Sequence, residues 1–197
     1  DSYVVKRLIT GMHFVDGTNI EKALYVNERT IAKDLPGDFL DNLLLKEAYR
    51  TESNFNEEVK VKDLEQARIN LFGKNYEIII PTDKEVGSCP VFKYNTEKRS
   101  YKRDNSECNI TNDISISYDV VEARIIENKS ITIYEAVAFI KDDKIYKKID
   151  GSNNVSDEVK DVTTDGFNVL DNVKKLNQYK YTFTYDKDSN NYVFNSI

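Results

Sequence analysis

The longest regular feature of the sequence is a pair of alternating apolar runs, Ile114 to Ile126 and Ser130 to Ile140, separated by the turn residues Asn128 and Lys129. Alternation with a period of two on both sides of a short polar turn predicts a long β-hairpin. In the first run, the apolar face changes side after Val120. Such a phase shift is typical of a β-bulge, which bends a strand. We therefore expect a strongly curved antiparallel sheet.

The second of these runs is apolar on both faces, which predicts a central strand that is covered on both sides. Glu135 interrupts one apolar face, and the small residues Ala136 and Ala138 next to Tyr134 leave room for a pocket between the sheet and its helices. An inward carboxylate such as Glu135 would act there as a general base. The alternative is that the two alanines let a helix pack closely on the sheet.

Helices are predicted where apolar residues recur at spacings of three and four. Asp38 to Arg50 has this pattern, and so does Asp63 to Phe72, in which Asp63 and Gln66 form a capping-box pair and Gly73 follows the last turn. A third helix is predicted at Asp165 to Leu176, and a turn or helix at Ser2 to Thr10.

The remaining alternating segments are short and predict further strands. They lie at Tyr76 to Ile80, Pro90 to Tyr94, Ser100 to Arg103, Ile145 to Ile149, Tyr179 to Tyr185 and Tyr192 to Phe194. The element order predicts one α+β domain over residues 1–197, with two or three helices on the curved sheet. Residues 52–62, which are polar and charged, are the one candidate for a seam between two domains, and because the stretch is short we interpret it as a loop within one domain.

Cys89 and Cys108 are the only cysteines, and they bracket the predicted hairpin of residues 90–103. An even number of cysteines without a CxxC or Cys/His ligand spacing indicates one disulfide, and two buried thiols are the alternative. A crosslink over this loop would contribute about 3 kcal/mol to stability. Since disulfides persist in oxidising compartments, the pair predicts an extracytoplasmic domain. The first residue is Asp1 and not Met, so we expect that an upstream segment was removed, either a signal peptide, a lipoprotein leader, a membrane anchor or only a tag.

The charge balance restricts the classes of partner. The chain has 28 basic and 34 acidic residues and a net charge of -6, which argues against a surface that binds nucleic acid. No stretch approaches the roughly 18 apolar residues of a membrane-spanning helix. The sequence therefore predicts a protein or small-ligand partner, no nucleic acid and no membrane span within this chain.

Few residues offer catalytic or metal-binding chemistry. His13 is the only histidine, and a catalytic pairing with Cys89 or Cys108 is the less favoured interpretation, because the cysteines are expected to bond each other. One His and two Cys are too few for a zinc site. Asp186 to Asn191 has the D-x-D-x-N spacing of a calcium loop but lacks its glycine and its final carboxylate, so we interpret it as a hairpin turn. The sequence predicts no catalytic set, no metal and no cofactor.

Aromatic residues line one face of the closing hairpin, at Tyr179, Tyr181, Phe183 and Tyr185, and the returning strand adds Tyr192 and Phe194. If this row were exposed, it would offer a stacking surface to a sugar, a peptide or a protein. The favoured interpretation is that the row belongs to the core beneath a helix.

Helices followed by a long, bent antiparallel hairpin resemble the cone-shaped NTF2-like architecture and its cystatin-like relatives. Four segments also resemble uncharacterised secreted or membrane-anchored proteins of AT-rich Gram-positive bacteria: residues 30–50, the Leu71-Phe72-Gly73 helix end, the hairpin between the cysteines, and the aromatic closing hairpin. The resemblance implies an exported α+β domain and leaves its activity open.

Together these features predict a non-enzymatic domain that binds a ligand or partner at the cell surface. The alternative is a small NTF2-like pocket enzyme in which an inward carboxylate or tyrosine performs acid–base chemistry. A third possibility, an intracellular adaptor, requires both cysteines to be free thiols.

Overall fold

The computed structural model describes residues 2–13, 19–27, 29–51, 58–77, 79–87, 91–104, 114–156 and 167–197. Within these ranges the chain forms α1 (Ser2–Met12), α2 (Gly37–Thr51) and α3 (Val61–Phe72). Short 3-10 helices lie at Asn19–Leu24, Ala32–Asp34 and Leu170–Lys175. None of the helices in the described ranges is long and apolar enough to cross a membrane.

The described strands form two antiparallel sheets, which confirms the predicted α+β class. The strands are β1 (Glu58–Lys60), β2 (Val91–Asn95), β3 (Ser100–Asp104), β4 (Ser115–Ile126), β5 (Ser130–Lys141), β6 (Lys144–Tyr146), β7 (Asn177–Asp186) and β8 (Asn191–Ser196). The larger sheet has the order β4–β5–β7–β8, and β6 also pairs with β5. The smaller sheet has the order β1–β3–β2.

The predicted hairpin of β4 and β5 and its bulge are confirmed. Val120 lies opposite Glu135 and Glu122 lies opposite Tyr134, so Val121 is the extra residue in β4. On its other side, β5 pairs with β7 without interruption from Ser130 to Val137. The bulge affects only the outer strand, because the pairing of β5 with β7 is regular. Neither sheet is closed or strongly curled, so the predicted strong curvature is wrong.

β5 is the central strand, as predicted, because both of its faces are covered. Every residue from Glu135 to Phe139 is completely buried. One face, with Ile133 and Val137, packs on α1, α2 and the segment around Leu24. The other face packs on the residues around the last 3-10 helix. A strand buried on both sides fixes the position of each residue it carries.

α2 lies between the two sheets, because its sequence is apolar on two sides. Phe39 and Leu43 belong to the core against the larger sheet. Leu44 and Leu45 belong to a second core with α3 and the smaller sheet, where Tyr101 is completely buried. The predicted helix Asp38 to Arg50 is therefore confirmed.

α3 begins earlier than predicted, and the capping-box prediction is wrong. The Asp63 carboxylate accepts a hydrogen bond from the Lys60 amide at 2.9 Å, while Gln66 donates to the Asn70 side chain. Asp63 thus lies in the first turn, and its side chain caps the N-terminus of the helix by binding the Lys60 amide. Gly73 ends the helix as predicted, with φ of 86° and its amide bonded to the Ile69 carbonyl.

Two predicted elements are wrong in the described residues. The apolar segment Tyr76 to Ile80 is irregular in its described residues: the Tyr76 ring stacks on Phe72, and the Arg68 guanidinium donates to the Tyr76 carbonyl at 2.6 Å. These contacts hold the segment against α3 and occupy a backbone carbonyl that would otherwise be available for pairing with a neighbouring strand. The third helix is only the 3-10 helix Leu170–Lys175, and its start at residues 165–166 lies outside the described residues.

The smaller sheet contains the predicted hairpin between the cysteines, with Val91 opposite Asp104. Cys89 and Cys108 themselves lie outside the described residues, and so do residues 52–57 of the predicted loop. The rest of that predicted loop is wrong, because residues 58–62 form β1 and the start of α3. The disulfide and the single-domain organisation therefore stay predictions.

Candidate functional site

The most unusual group of side chains is a buried acid–base pair between α1 and β5. His13 follows the last residue of α1 and is 3% exposed, and Glu135 is completely buried. The distance from His13 Nε2 to Glu135 Oε1 is 2.6 Å. The Tyr25 hydroxyl donates to Glu135 Oε2 at 3.3 Å. Both carboxylate oxygens therefore have protein partners, as a buried carboxylate requires.

Aromatic rings surround the pair. The imidazole of His13 stacks on Tyr118 of β4, with ring centroids 3.4 Å apart and planes 7° apart. The Tyr25 and Tyr181 hydroxyls lie 3.1 Å from each other. In the ladder Glu135 lies opposite Tyr179, whose pKa is raised, first by burial and also by the nearby Glu135 charge. The site is thus a buried polar cluster enclosed by tyrosines.

This geometry gives the pair a positioning role. General acid–base catalysis requires that a substrate reach the carboxylate or the imidazole. Glu135 has no exposed surface, and its two oxygens are bound to His13 and Tyr25. The pair instead joins the end of α1 to the centre of the larger sheet.

Only one member of this pair, Glu135, is recognisable in the sequence. Glu135 stands out because it interrupts an apolar face, and such a residue needs a buried donor. His13 is the only imidazole that can supply one, yet it lies 122 positions away in the chain. The need of a buried Glu135 carboxylate for a hydrogen-bond donor is therefore the one sequence signal that points to His13. The less favoured interpretation, a catalytic pairing of His13 with Cys89 or Cys108, is not tested, because both cysteines lie outside the described residues.

The four residues of the predicted pocket do not share one face of β5, so they do not line a common cavity. Tyr134, Ala136 and Ala138 lie on the face opposite Glu135, because side chains alternate along β5. Ala136 and Ala138 are completely buried in the core cluster that contains Leu176. The alternative of close packing is therefore the correct one. Tyr134 lies beneath the guanidinium of Arg124, at 5.3 Å.

Most of the aromatic row on β7 and β8 belongs to the core or packs against it. Tyr181, Phe183 and Phe194 are buried, and Tyr179, Tyr185 and Tyr192 are half-buried. β7 lies between β5 and β8, so α1 and its neighbouring segments cover this face. The favoured interpretation as core is therefore confirmed for Tyr181, Phe183 and Phe194, and Tyr179 and Tyr192 pack against that core. Tyr185 is half-buried against Tyr192, so the row does not form the alternative, an exposed stacking surface.

An open cleft of about 520 Å³ lies beside the start of α2. Its apolar lining comes from Leu40, Tyr76 and Ile79. Leu40 and Tyr76 are half-buried, whereas the Ile79 side chain is 93% exposed. The cleft thus offers apolar surface to solvent on a segment that has no strand partner of its own within the described residues.

Charged groups surround this apolar surface. Lys33, Asp41 and Glu77 line the cleft. Asp41 is buried and forms an ion pair with Lys84, and its hydrogen bond raises the pKa of the Lys84 ammonium. Glu77 is exposed. Apolar surface with a rim of charged side chains is typical of a site that binds another molecule.

The segment Asp186 to Asn191 is a hairpin turn, as interpreted from the sequence. The Asp186 carboxylate accepts a hydrogen bond from the Ser189 hydroxyl at 2.6 Å, which lowers the pKa of the carboxyl group. Among the described residues, no three His, Cys, Asp or Glu side chains come together as a metal site would require.

Comparisons with protein-family profiles, with curated proteins and with solved structures found no match for this chain. Its function is therefore inferred from the two sites described above.

Proposed function

We propose that this protein is a non-catalytic binding module, and that the open cleft beside α2 receives a segment of a partner protein. The observation that carries the proposal is the exposure of Ile79, at 93%, at the edge of a cleft that Leu40 and Tyr76 also line. An exposed aliphatic side chain beside a concave apolar surface provides the centre of a protein interface.

The lining defines the chemistry of the partner. Leu40, Tyr76 and Ile79 favour an apolar anchor, such as a leucine or phenylalanine side chain. Glu77 and Lys33 are both exposed at the edge of the same cleft and favour charged side chains of either sign next to that anchor. We therefore propose an apolar peptide segment with flanking charged residues as the ligand.

Selection from a random peptide library tests this site. Peptides enriched on the wild-type protein are measured by calorimetry on the wild type and on two variants. Ile79→Asp should weaken binding by about tenfold or more, because it places a charge against the apolar anchor. Val26→Asp is the matched control, since Val26 is 67% exposed and does not line the cleft. Equal affinities for the wild type and Ile79→Asp would contradict the proposed site.

The buried pair supports a second candidate, an acid–base enzyme, only if small molecules reach it. The supporting observation is the short contact between His13 and Glu135. Because His13 is the only histidine, diethyl pyrocarbonate labels one imidazole, and mass spectrometry counts it directly. We expect protection in the folded protein and labelling in denaturant. Rapid labelling of the folded protein would favour the enzyme.

We also propose that the module works outside the cytoplasm, secreted or anchored upstream of this chain. Val91 lies opposite Asp104, so the two described ends of the hairpin are adjacent, and Cys89 and Cys108 are only two and four positions beyond them in the sequence, which supports a crosslink. A mass of the unreduced protein that is lower by two hydrogen atoms than that of the reduced protein is expected. An unchanged mass would remove the main argument for this location.

The NTF2-like or cystatin-like relationship is likewise a proposal. Its support is the order of elements, with α2 and α3 preceding a long hairpin that has a bulge in its outer strand. The binding role of the cleft does not depend on it.

A further inference from the structure

The outer edge of the larger sheet is an interaction surface that the cleft does not use. β4 lies at one end of the strand order and pairs only with β5 within the described residues. After the bulge, every residue from Val121 to Ile126 is exposed. The exposed fractions are 38% for Val121, 40% for Ile125 and 54% for Ile126. A long edge strand with exposed aliphatic side chains is able to add another strand by backbone hydrogen bonds.

The order of side chains along this edge is complementary to itself. Around Ala123 the sequence is Val120-Val121-Glu122-Ala123-Arg124-Ile125-Ile126. If a second copy pairs antiparallel about a two-fold axis at Ala123, Glu122 of each copy lies opposite Arg124 of the other. Val121 then lies opposite Ile125, and Val120 opposite Ile126. Opposite charges and aliphatic pairs directly across a ladder are both stabilising.

Neighbouring registers lack this match. An axis at Glu122 would place two carboxylates opposite each other, and an axis at Arg124 would place two guanidinium groups opposite each other. Like charges directly across a ladder are destabilising. Of these three registers, the charges therefore select the axis at Ala123.

The charged side chains already have the required arrangement in one copy. Arg124 Nε lies 2.6 Å from Glu122 Oε1, and the two side chains are 65% and 49% exposed. The guanidinium lies over the Tyr134 ring, which holds it on this face of the sheet. Residues two apart in a strand share a face, so four alternating charges would meet across the two-fold axis.

We propose that β4, from Val120 to Ile126, is a homodimer interface, in which two copies pair antiparallel about Ala123 and join their larger sheets into one. The occupant is a second copy of this chain, because a two-fold contact needs a surface that is complementary to itself, and this strand has one. Pairing also covers the exposed edge and its aliphatic residues.

Charge reversal with rescue tests the pairing, with sedimentation velocity over a range of concentrations as the measurement. We expect the wild type to dimerise. Glu122→Arg and Arg124→Glu should each raise the dimer dissociation constant by about tenfold or more, because each places like charges across both halves of the contact. The double variant Glu122→Arg/Arg124→Glu should dimerise again, since its charges are exchanged but remain complementary.

Mixing the two single variants provides a control that needs no further substitution. In the mixture, the two arginines of the Glu122→Arg variant face the two glutamates of the Arg124→Glu variant, so a heterodimer should form where each variant alone is monomeric. Circular dichroism confirms folding of each variant, which is expected because both side chains are exposed. A monomeric wild type at all concentrations, or a dimer insensitive to the single reversals, would overturn the proposal.

Discussion

The contact between His13 and Glu135 makes a quantitative prediction about stability. In His13→Phe the ring that stacks on Tyr118 is retained, but the Glu135 carboxylate keeps only the Tyr25 hydroxyl, at 3.3 Å, among its two partners. Removing one partner of a buried pair typically costs about 3–5 kcal/mol. For a chain of this size, that corresponds to a melting temperature lower by about 6–20 °C.

A double-mutant cycle separates this contact from general damage to the core. Glu135→Leu removes the acceptor that His13 Nε2 contacts and should cost about 1–3 kcal/mol. The double variant His13→Phe/Glu135→Leu removes both polar groups and should be close to the wild type in stability, because apolar replacement of a whole buried pair is often neutral. Urea denaturation followed by circular dichroism measures all four proteins.

Two results would contradict a stabilising contact between His13 and Glu135. His13→Phe within about 1 kcal/mol of the wild type would mean that the carboxylate is not held by the imidazole in solution. Losses that simply add in the double variant would mean that the two side chains do not interact. Tyr25→Phe is a useful comparison, because its longer hydrogen bond to Glu135 should contribute only about 0.5–1.5 kcal/mol.

Two further predictions concern other parts of the fold. Gly73→Ala should destabilise the protein by about 1–2 kcal/mol in urea denaturation, because φ at Gly73 is 86° and the added Cβ would lie 3.0 Å from the Asp186 carboxylate. Gly37→Ala is the control and should be neutral or stabilising, because Gly37 lies at the start of a helix and its added Cβ would meet no atom within 4 Å. Burial raises the pKa of Tyr101 from 10.0 to about 12, so the stability due to this group is complete below pH 10 and is lost as the pH rises from about 10 to about 12. Ultraviolet titration of tyrosinate against pH tests the raised pKa of Tyr101. A Tyr101→Phe variant that loses as much stability as the wild type over this pH range would contradict the assignment of the loss to Tyr101.

Local patterns predicted the elements that depend on neighbouring residues. The β4–β5 hairpin, its bulge near Val121 and helix α2 are all visible in the sequence, because alternation and helical spacing are properties of consecutive side chains. The segment from Tyr76 to Ile80 has an equally apolar pattern, but its described residues form no strand. Instead, the Arg68 guanidinium donates to the Tyr76 carbonyl and the Phe72 ring stacks on the Tyr76 ring. These contacts are not visible in the apolar pattern of the segment itself.

The candidate sites show the same limit. Alternation correctly placed Tyr181 and Phe183 on one face of a strand, but it could not say what covers that face. Glu135 was recognisable as a polar residue within an apolar face, whereas its partner His13 comes from the other end of the fold. The cleft was missed because Ile79 was expected in a strand, and only the observed irregular path exposes its side chain.

Asn191, the first residue of β8, joins two helices through one side chain. Its amide nitrogen donates to the Asn70 carbonyl of α3 at 2.9 Å, and its amide oxygen accepts from the Arg7 guanidinium of α1 at 2.6 Å. Opening of the last hairpin would therefore remove one hydrogen bond from each helix at the same moment, while α3 keeps its packing on α2. In native-state hydrogen exchange, Asn191→Ala should then lower the protection of β8 and of the facing ends of α1 and α3 together.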